Sequence, residues 1–195
     1  MQNNLFNNIA NLFKLTQKHL TNPQKEMCAE TLEVNFGNCQ PLHRFVIPIA
    51  VTLGATSALS SFLWSDDLDF GAMIYGILTS AIEPFLIYYM VKVLSCKVFR
   101  KYEIKEATED KAQIVTLQLM LLYFAVTFVC TILPDARLLS CLYVYAFYML
   151  WQIAGDYLGI SEERRISFML SEMAICAISY FVILLTLKYV APKHP

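Results

Sequence analysis

The chain is predicted to be all-α, a polytopic membrane protein of about five transmembrane helices preceded by an amphipathic cytoplasmic helical region. Three observations predict this. Hydrophobic residues make up 57% of the 195 residues, charged residues 16%, and mean hydropathy is +0.49. A soluble domain is nearer roughly half apolar and a quarter charged. The apolar residues gather into runs long enough to cross a hydrocarbon core about 30 Å thick. Lys and Arg crowd into every second connection between those runs, the asymmetry of an oriented membrane protein. The net charge of -1 leaves no basic excess for nucleic acid.

Three regions follow: an amphipathic region over 1–44, a five-helix membrane domain over 45–190 and a tail over 191–195. Within the first, residues 5–20 place Leu5, Phe6, Ile9, Leu12, Phe13 and Leu20 on one helical face. Asn7, Asn11, Lys14 and Lys18 fall on the other, with the period of an α-helix. Such a helix lies in a membrane interface or packs on the cytoplasmic ends of the spans, and both readings stand. Asn22-Pro23 restarts a helix, because Pro suits the first helical position and Asn can cap it. That second helix is expected to reach about residue 35 and to stop at Gly37. Glu26, Glu30 and Glu33 form a solvated stripe along it.

Span one covers 45–64, with a small-residue stretch at Gly54-Ala55-Thr56-Ser57-Ala58 that lets backbones approach. Trp64 ends it at an interface. A short acidic loop, Ser65-Asp66-Asp67-Leu68-Asp69, leads to span two, 70–95. Glu83-Pro84 sits near the middle of span two. Pro84 donates no backbone hydrogen bond, so a kink is expected there. The connection over 96–111 is the most charged stretch of the chain and is read as a water-exposed loop or helical extension. Span three covers 112–133, and Pro134-Asp135-Ala136-Arg137 makes a tight turn. Span four, 138–154, is short and rich in aromatics. A polar connection with Glu162-Glu163-Arg164-Arg165 leads to span five, 167–190. With the N-terminus inside, twelve of the fifteen Lys and Arg residues face the cytoplasm; Arg137, Lys188 and Lys193 face out. An odd number of spans then puts the C-terminus outside.

An ionisable side chain at membrane depth costs about 2.5–3.5 kcal/mol on insertion scales, so each is a functional candidate. Glu83 is the clearest, and Gln118, Gln152 and Glu172 are its expected partners. Together they outline a polar chamber for a proton, a cation or a lipid headgroup, or a set of interhelical hydrogen bonds that holds the bundle. Lys97, Arg100, Lys101, Arg164 and Arg165 are candidate lipid-headgroup contacts, since juxtamembrane basic residues attract anionic lipid. No catalytic residue is assigned. There is no His-Glu-x-x-His and no Gly-x-Ser-x-Gly. Asp156 has no second intramembrane Asp to share a proton with. The six Cys and three His lack the close pairing a zinc site uses, so no metal or cofactor is expected.

The order of several segments resembles the bacterial branch of the Yip family, five-pass proteins named for interaction with Ypt/Rab GTPases. The likeness runs from Leu12 onward. It rests on Leu20-Thr21-Asn22-Pro23-Gln24-Lys25-Glu26, on His43-Arg44-Phe45-Val46-Ile47-Pro48 and on Ile132-Leu133-Pro134 with Tyr143-Val144-Tyr145. Gly155-Asp156-Tyr157-Leu158-Gly159-Ile160-Ser161 completes it. The Asp-Leu-Tyr-Gly-Pro-like segment of eukaryotic members has no counterpart. The resemblance implies five spans, a bacterial cytoplasmic (inner) membrane and a non-enzymatic membrane-organising or adapter role with an unknown protein partner. Two alternatives come from the residues themselves. One is a small transporter or channel built around Glu83, formed more easily between copies in a homo-oligomer. The other is a lipid-handling protein in contact with membrane lipids.

Overall fold

The computed structural model describes residues 5–37, 40–64, 70–102, 104, 108–133 and 141–190. The acidic loop, the turn at residues 134–137, Lys105 and the tail lie outside the described residues, as do the side chains of residues 188–190. The elements are α1 (Leu5–Thr21), α2 (Pro23–Glu26), α3 (Ala29–Leu32), α4 (Ile47–Trp64), α5 (Phe70–Lys101), α6 (Thr108–Ile132), α7 (Tyr145–Gln152) and α8 (Glu162–Val190). Wide π-type turns occupy Glu33–Gly37, Leu42–Val46 and Ile153–Tyr157. No strand occurs among the described residues.

Four helical segments are long and apolar enough to cross a membrane: Leu42–Trp64, Met73–Lys101, Thr108–Ile132 and Glu162–Leu187. They form an up-and-down bundle with α5 packed against α4, α6 and α8. Small residues set the α4–α5 contact. Gly54 faces Ile77 and Ala81, and Gly76 faces Ser57, so the two helices run antiparallel at close range. Tyr88 and Lys92 of α5 both reach Gln113 near the start of α6. Along α8, Tyr75 bonds the Leu187 carbonyl at 2.8 Å and Tyr102 bonds Ser167 at 2.7 Å. Trp64 donates to the Ile132 carbonyl at 3.0 Å, tying the ends of α4 and α6. This topology gathers Lys97, Arg100, Lys101, Lys111, Arg164 and Arg165 at the opposite end of the bundle.

The expected span over 138–154 takes another form. Residues 138–140 lie outside the described residues, and α7 holds only 8 residues. A 3₁₀ turn at 141–144 precedes it and the Ile153–Tyr157 turn extends it. The backbone widens around Gly155, where Leu158 N–H bonds the Ile153 carbonyl at 2.9 Å. Helix α5, by contrast, runs unbroken through Pro84 for 32 residues.

The N-terminal region also departs from expectation. The helix expected over 23–35 breaks after Glu26, because Cys28 is extended at φ -70°, ψ 149°. The break lets Met27 and Leu32 both turn fully inward, and their burial outweighs continuation of one helix. Asn22 holds the cap position without a side-chain bond. Glu26 is buried rather than solvated and accepts a bond from Asn35 Nδ2 at 3.3 Å; Glu30 and Glu33 are exposed.

Helix α1 packs along the flank of α4 and α6, not on their ends. Its Phe13 ring meets Phe124 and Phe128 edge-on, each at 5.2 Å. Phe124 lies about 24 Å along α6 from its first residue, at 1.5 Å per residue. Asn8 bonds the His43 carbonyl, and Tyr145 bonds the His19 carbonyl. Phe36 then meets the His19 ring edge-on at 5.9 Å and the Phe45 ring at a tilt at 5.2 Å. Residues 5–37 and 40–46 thus lie as helical segments against the bundle.

Candidate functional site

The four intramembrane candidates divide into separate places. Glu83, half-buried on α5, has tyrosines for neighbours: Tyr123 of α6, Tyr143 just before α7 and Tyr180 of α8. The Tyr123 hydroxyl faces the Glu83 carboxyl and Thr127 without reaching good hydrogen-bond geometry to either. Glu172 lies on α8, wholly buried, and its Oε2 accepts a bond from Ser95 at 2.6 Å. Its Oε1 has no partner among the described residues. Ser95 stands 12 residues beyond Glu83, about 18 Å further along α5. Gln118 is fully buried on α6, and neither its amide oxygen nor its nitrogen finds a partner. Gln152 is half-buried at the end of α7. Among the described residues no hydrogen bond joins these four to one another.

Between the two acids lies an apolar cavity of about 320 Å³. Ile87 and Val91 of α5, Met120 and Tyr123 of α6, Ala146 of α7 and Met173 and Tyr180 of α8 wall it. Periodicity explains the wall. Thr116, Leu119, Met120 and Tyr123 repeat at three and four along α6, as do Met173, Cys176, Ala177 and Tyr180 along α8, so each set shares one helical face. Glu83 stands one turn from Ile87 and Glu172 is the chain neighbour of Met173, but neither carboxyl is part of the wall, whose polar groups are Thr116, Tyr123, Tyr143 and Tyr180. The wall is almost wholly apolar. That arrangement suits a chain-like apolar ligand better than a hydrated ion.

The basic candidates are placed unequally. Lys97, Arg100, Lys101 and Arg164 are exposed, and Lys101 lies 6.0 Å from the Tyr102 ring centre. Arg165 is half-buried and held. Its Nε donates to the Ile160 carbonyl at 3.0 Å, and its guanidinium lies 5.5 Å from the Trp151 ring centre. The guanidinium rests on Gly155, where a Cβ would meet its Cζ at 2.6 Å. A side chain at position 155 would push the guanidinium aside.

Three residues absent from the sequence reading complete these places: Ser95, Tyr123 and Tyr180. Their signal was available, since a Tyr hydroxyl or Ser hydroxyl within an apolar run needs a partner once buried. Compared with family models, curated proteins and solved structures, the chain matches none of them.

Proposed function

We infer that this chain is a non-enzymatic integral membrane protein that holds the apolar chain of a membrane lipid inside its helix bundle. The cavity between α5, α6, α7 and α8 carries this reading. At about 320 Å³ it sits at the low end of ligand pockets, roughly 300–1,000 Å³. Three of its lining residues, Tyr143, Ala177 and Tyr180, are exposed, so a lipid enters from the side. The polar chamber for a solute is the weaker reading, because Glu83, Gln118, Gln152 and Glu172 do not converge.

The topology belongs to the same proposal. Tyr143 neighbours Thr127 high on α6, whereas Lys111, near the start of α6, lies 5.9 Å from the Tyr157 ring centre. Residues 141–157 therefore run the length of α6 in the opposite direction, which supports a fifth pass. With the basic end of the bundle cytoplasmic, the N-terminus is inside and the C-terminus outside. A bacterial cytoplasmic membrane is the setting the Yip resemblance implies.

The test is to purify the protein in mild detergent and identify lipid by mass spectrometry. Wild type is expected to carry lipid, and Ala177→Trp, which fills the mouth from an exposed position, to lose most of it. Lipid-free wild type overturns the proposal.

A Yip-type adapter role is the second reading, favoured by the outer face of the N-terminal segments. Phe6 and Val34 are 77% and 76% exposed there, beside exposed Lys14, Lys18, Lys25 and Glu30. Crosslinking in the native membrane tests it. A protein partner lost on Val34→Glu supports the role, and unchanged capture removes it.

A further inference from the structure

The Arg165 guanidinium is oriented more tightly than an ordinary surface arginine requires. Gly155 lies under it, Trp151 flanks it and the Ile160 carbonyl takes its Nε. Among the described residues, that Nε bond is the only hydrogen bond it makes, so both terminal nitrogens keep their donors free. Its placement is also against local electrostatics. Arg165 is the fourth residue of α8, where the helix dipole disfavours a cation and favours an anion. The first-turn carboxylates Glu162 and Glu163 are exposed and point to solvent. A fixed planar guanidinium beside a helix N-terminus fits one chemical class well, a phosphate ester gripped through paired N–H donors.

Depth and direction name the source of that phosphate. Trp151 and Arg165 lie at the basic end of the bundle, where aromatic and basic side chains meet headgroups. Arg165, Met169, Met173, Cys176 and Tyr180 fall on one stripe of α8, at 3.6 residues per turn. Met173, Cys176 and Tyr180 of that stripe line the cavity. Met173 lies about 12 Å and Tyr180 about 22 Å from Arg165 along the helix, at 1.5 Å per residue. A phosphate at Arg165 would therefore send its chain along this face into the cavity.

We propose that Arg165, held by Gly155 and Trp151, is the seat for the phosphate of an anionic membrane lipid. The proposal rests on the lipid-binding reading and adds the headgroup to it. Its test reads Trp151 directly, so it separates from the fate of the cavity.

Trp64 and Trp151 are the two tryptophans of the chain, so Trp64→Phe leaves Trp151 as the sole reporter. That protein is placed in phosphatidylcholine vesicles containing brominated phosphatidylglycerol, and in the reverse mixture. Quenching of Trp151 gives the relative affinity of the two lipids at this site. About a fivefold preference for phosphatidylglycerol is expected, equivalent to about 1 kcal/mol for one basic contact. Arg165→Gln is expected to bring the ratio to about one. Gly155→Val, which displaces the guanidinium without removing charge, should do most of the same. Arg165→Lys should lose more than half the preference, and Arg164→Gln should leave it nearly intact. Retained quenching by brominated phosphatidylcholine shows that each variant is folded and inserted.

Three results overturn the proposal. One is no preference in wild type. Another is equal loss on Arg164→Gln and Arg165→Gln, which would mean diffuse surface charge. The third is removal of the preference by millimolar inorganic phosphate, which would mean a seat for free phosphate. If cavity-filling Ala177→Phe, which adds no second indole, removes bound lipid while the preference at Trp151 persists, headgroup and chain sites are separable and the seat stands.

Discussion

Ser95 of α5 donates a 2.6 Å hydrogen bond to Glu172 of α8, and both side chains are wholly buried. The bond joins two long helices inside the bundle, but Glu172 Oε1 is left without a partner among the described residues. Breaking one member of such a pair costs more than removing both. Ser95→Ala is therefore expected to lower stability by about 1–3 kcal/mol. The double change Ser95→Ala with Glu172→Met should recover most of that loss. Unfolding in mixed micelles by titrated SDS measures both. A wild-type midpoint for Ser95→Ala would show that the bond contributes nothing.

Phe13 is the pin between the N-terminal segments and the bundle. Its edge-on contacts with Phe124 and Phe128 each contribute about 0.5–1.5 kcal/mol beyond area burial. Phe13→Ala should loosen α1 by about 1–3 kcal/mol while α4–α8 stay folded. Limited proteolysis should then cut within residues 5–37 well before the spans. Simultaneous loss of the N-terminal segments and the bundle would show them to be one cooperative unit.

Close approach of α4 and α5 at Gly54 is sensitive to size. A Cβ there would sit 3.6 Å from both Ala81 Cβ and the Ile77 carbonyl, an ordinary contact. Gly54→Ala should be neutral within about 0.5 kcal/mol, as an uncrowded substitution. Gly54→Leu should cost about 1–3 kcal/mol by overpacking. Thermal inactivation in detergent ranks the three proteins, and equal behaviour of Leu and Ala would deny the close packing.

His19 gives the N-terminal segments a pH dependence. It is buried, its Nδ1 donates to the Leu15 carbonyl at 2.8 Å, and Nε2 lacks a partner. Burial lowers its pKa below the ordinary 6.5, against smaller raising effects from the Leu15 bond and from Glu26, while Lys18 lowers it further. Below pH 6.5 the unfolded chain therefore binds a proton that the folded segments refuse. Their stabilisation is complete above that pH and is lost as pH falls, by at most about 1.4 kcal/mol per unit. Hydrogen exchange of α1 should accelerate between pH 7 and pH 5 in wild type relative to His19→Gln. Parallel behaviour of the two would assign the effect elsewhere.

Lipid facing was easy to read in the sequence because it is a matter of composition. Runs of apolar residues gave the apolar parts of α4, α5, α6 and α8, and α5, α6 and α8 extend beyond them into charged flanks, as far as Lys101, Thr108 and Glu162. The aromatic segment was harder. Its residues serve packing as much as membrane depth, and around Gly155 the backbone widens to admit Arg165. The site was half legible. Glu83 and Glu172 stood out by cost, but their partners are hydroxyls on other helices, and no spacing within one segment announces Ser95 or Tyr180.

What the sequence determined alone is the all-helical build, the membrane-long apolar helices and the gathering of basic residues into alternate connections. These follow from hydropathy and charge, which act residue by residue. Only the tertiary structure decided that Glu83 meets Tyr123 while Glu172 meets Ser95, that α1 rides on Phe124 and Phe128, and that Arg165 rests on Gly155. Those relationships depend on which helix faces meet. A rotation of one helix by about 100° per residue step changes every neighbour while leaving hydropathy untouched.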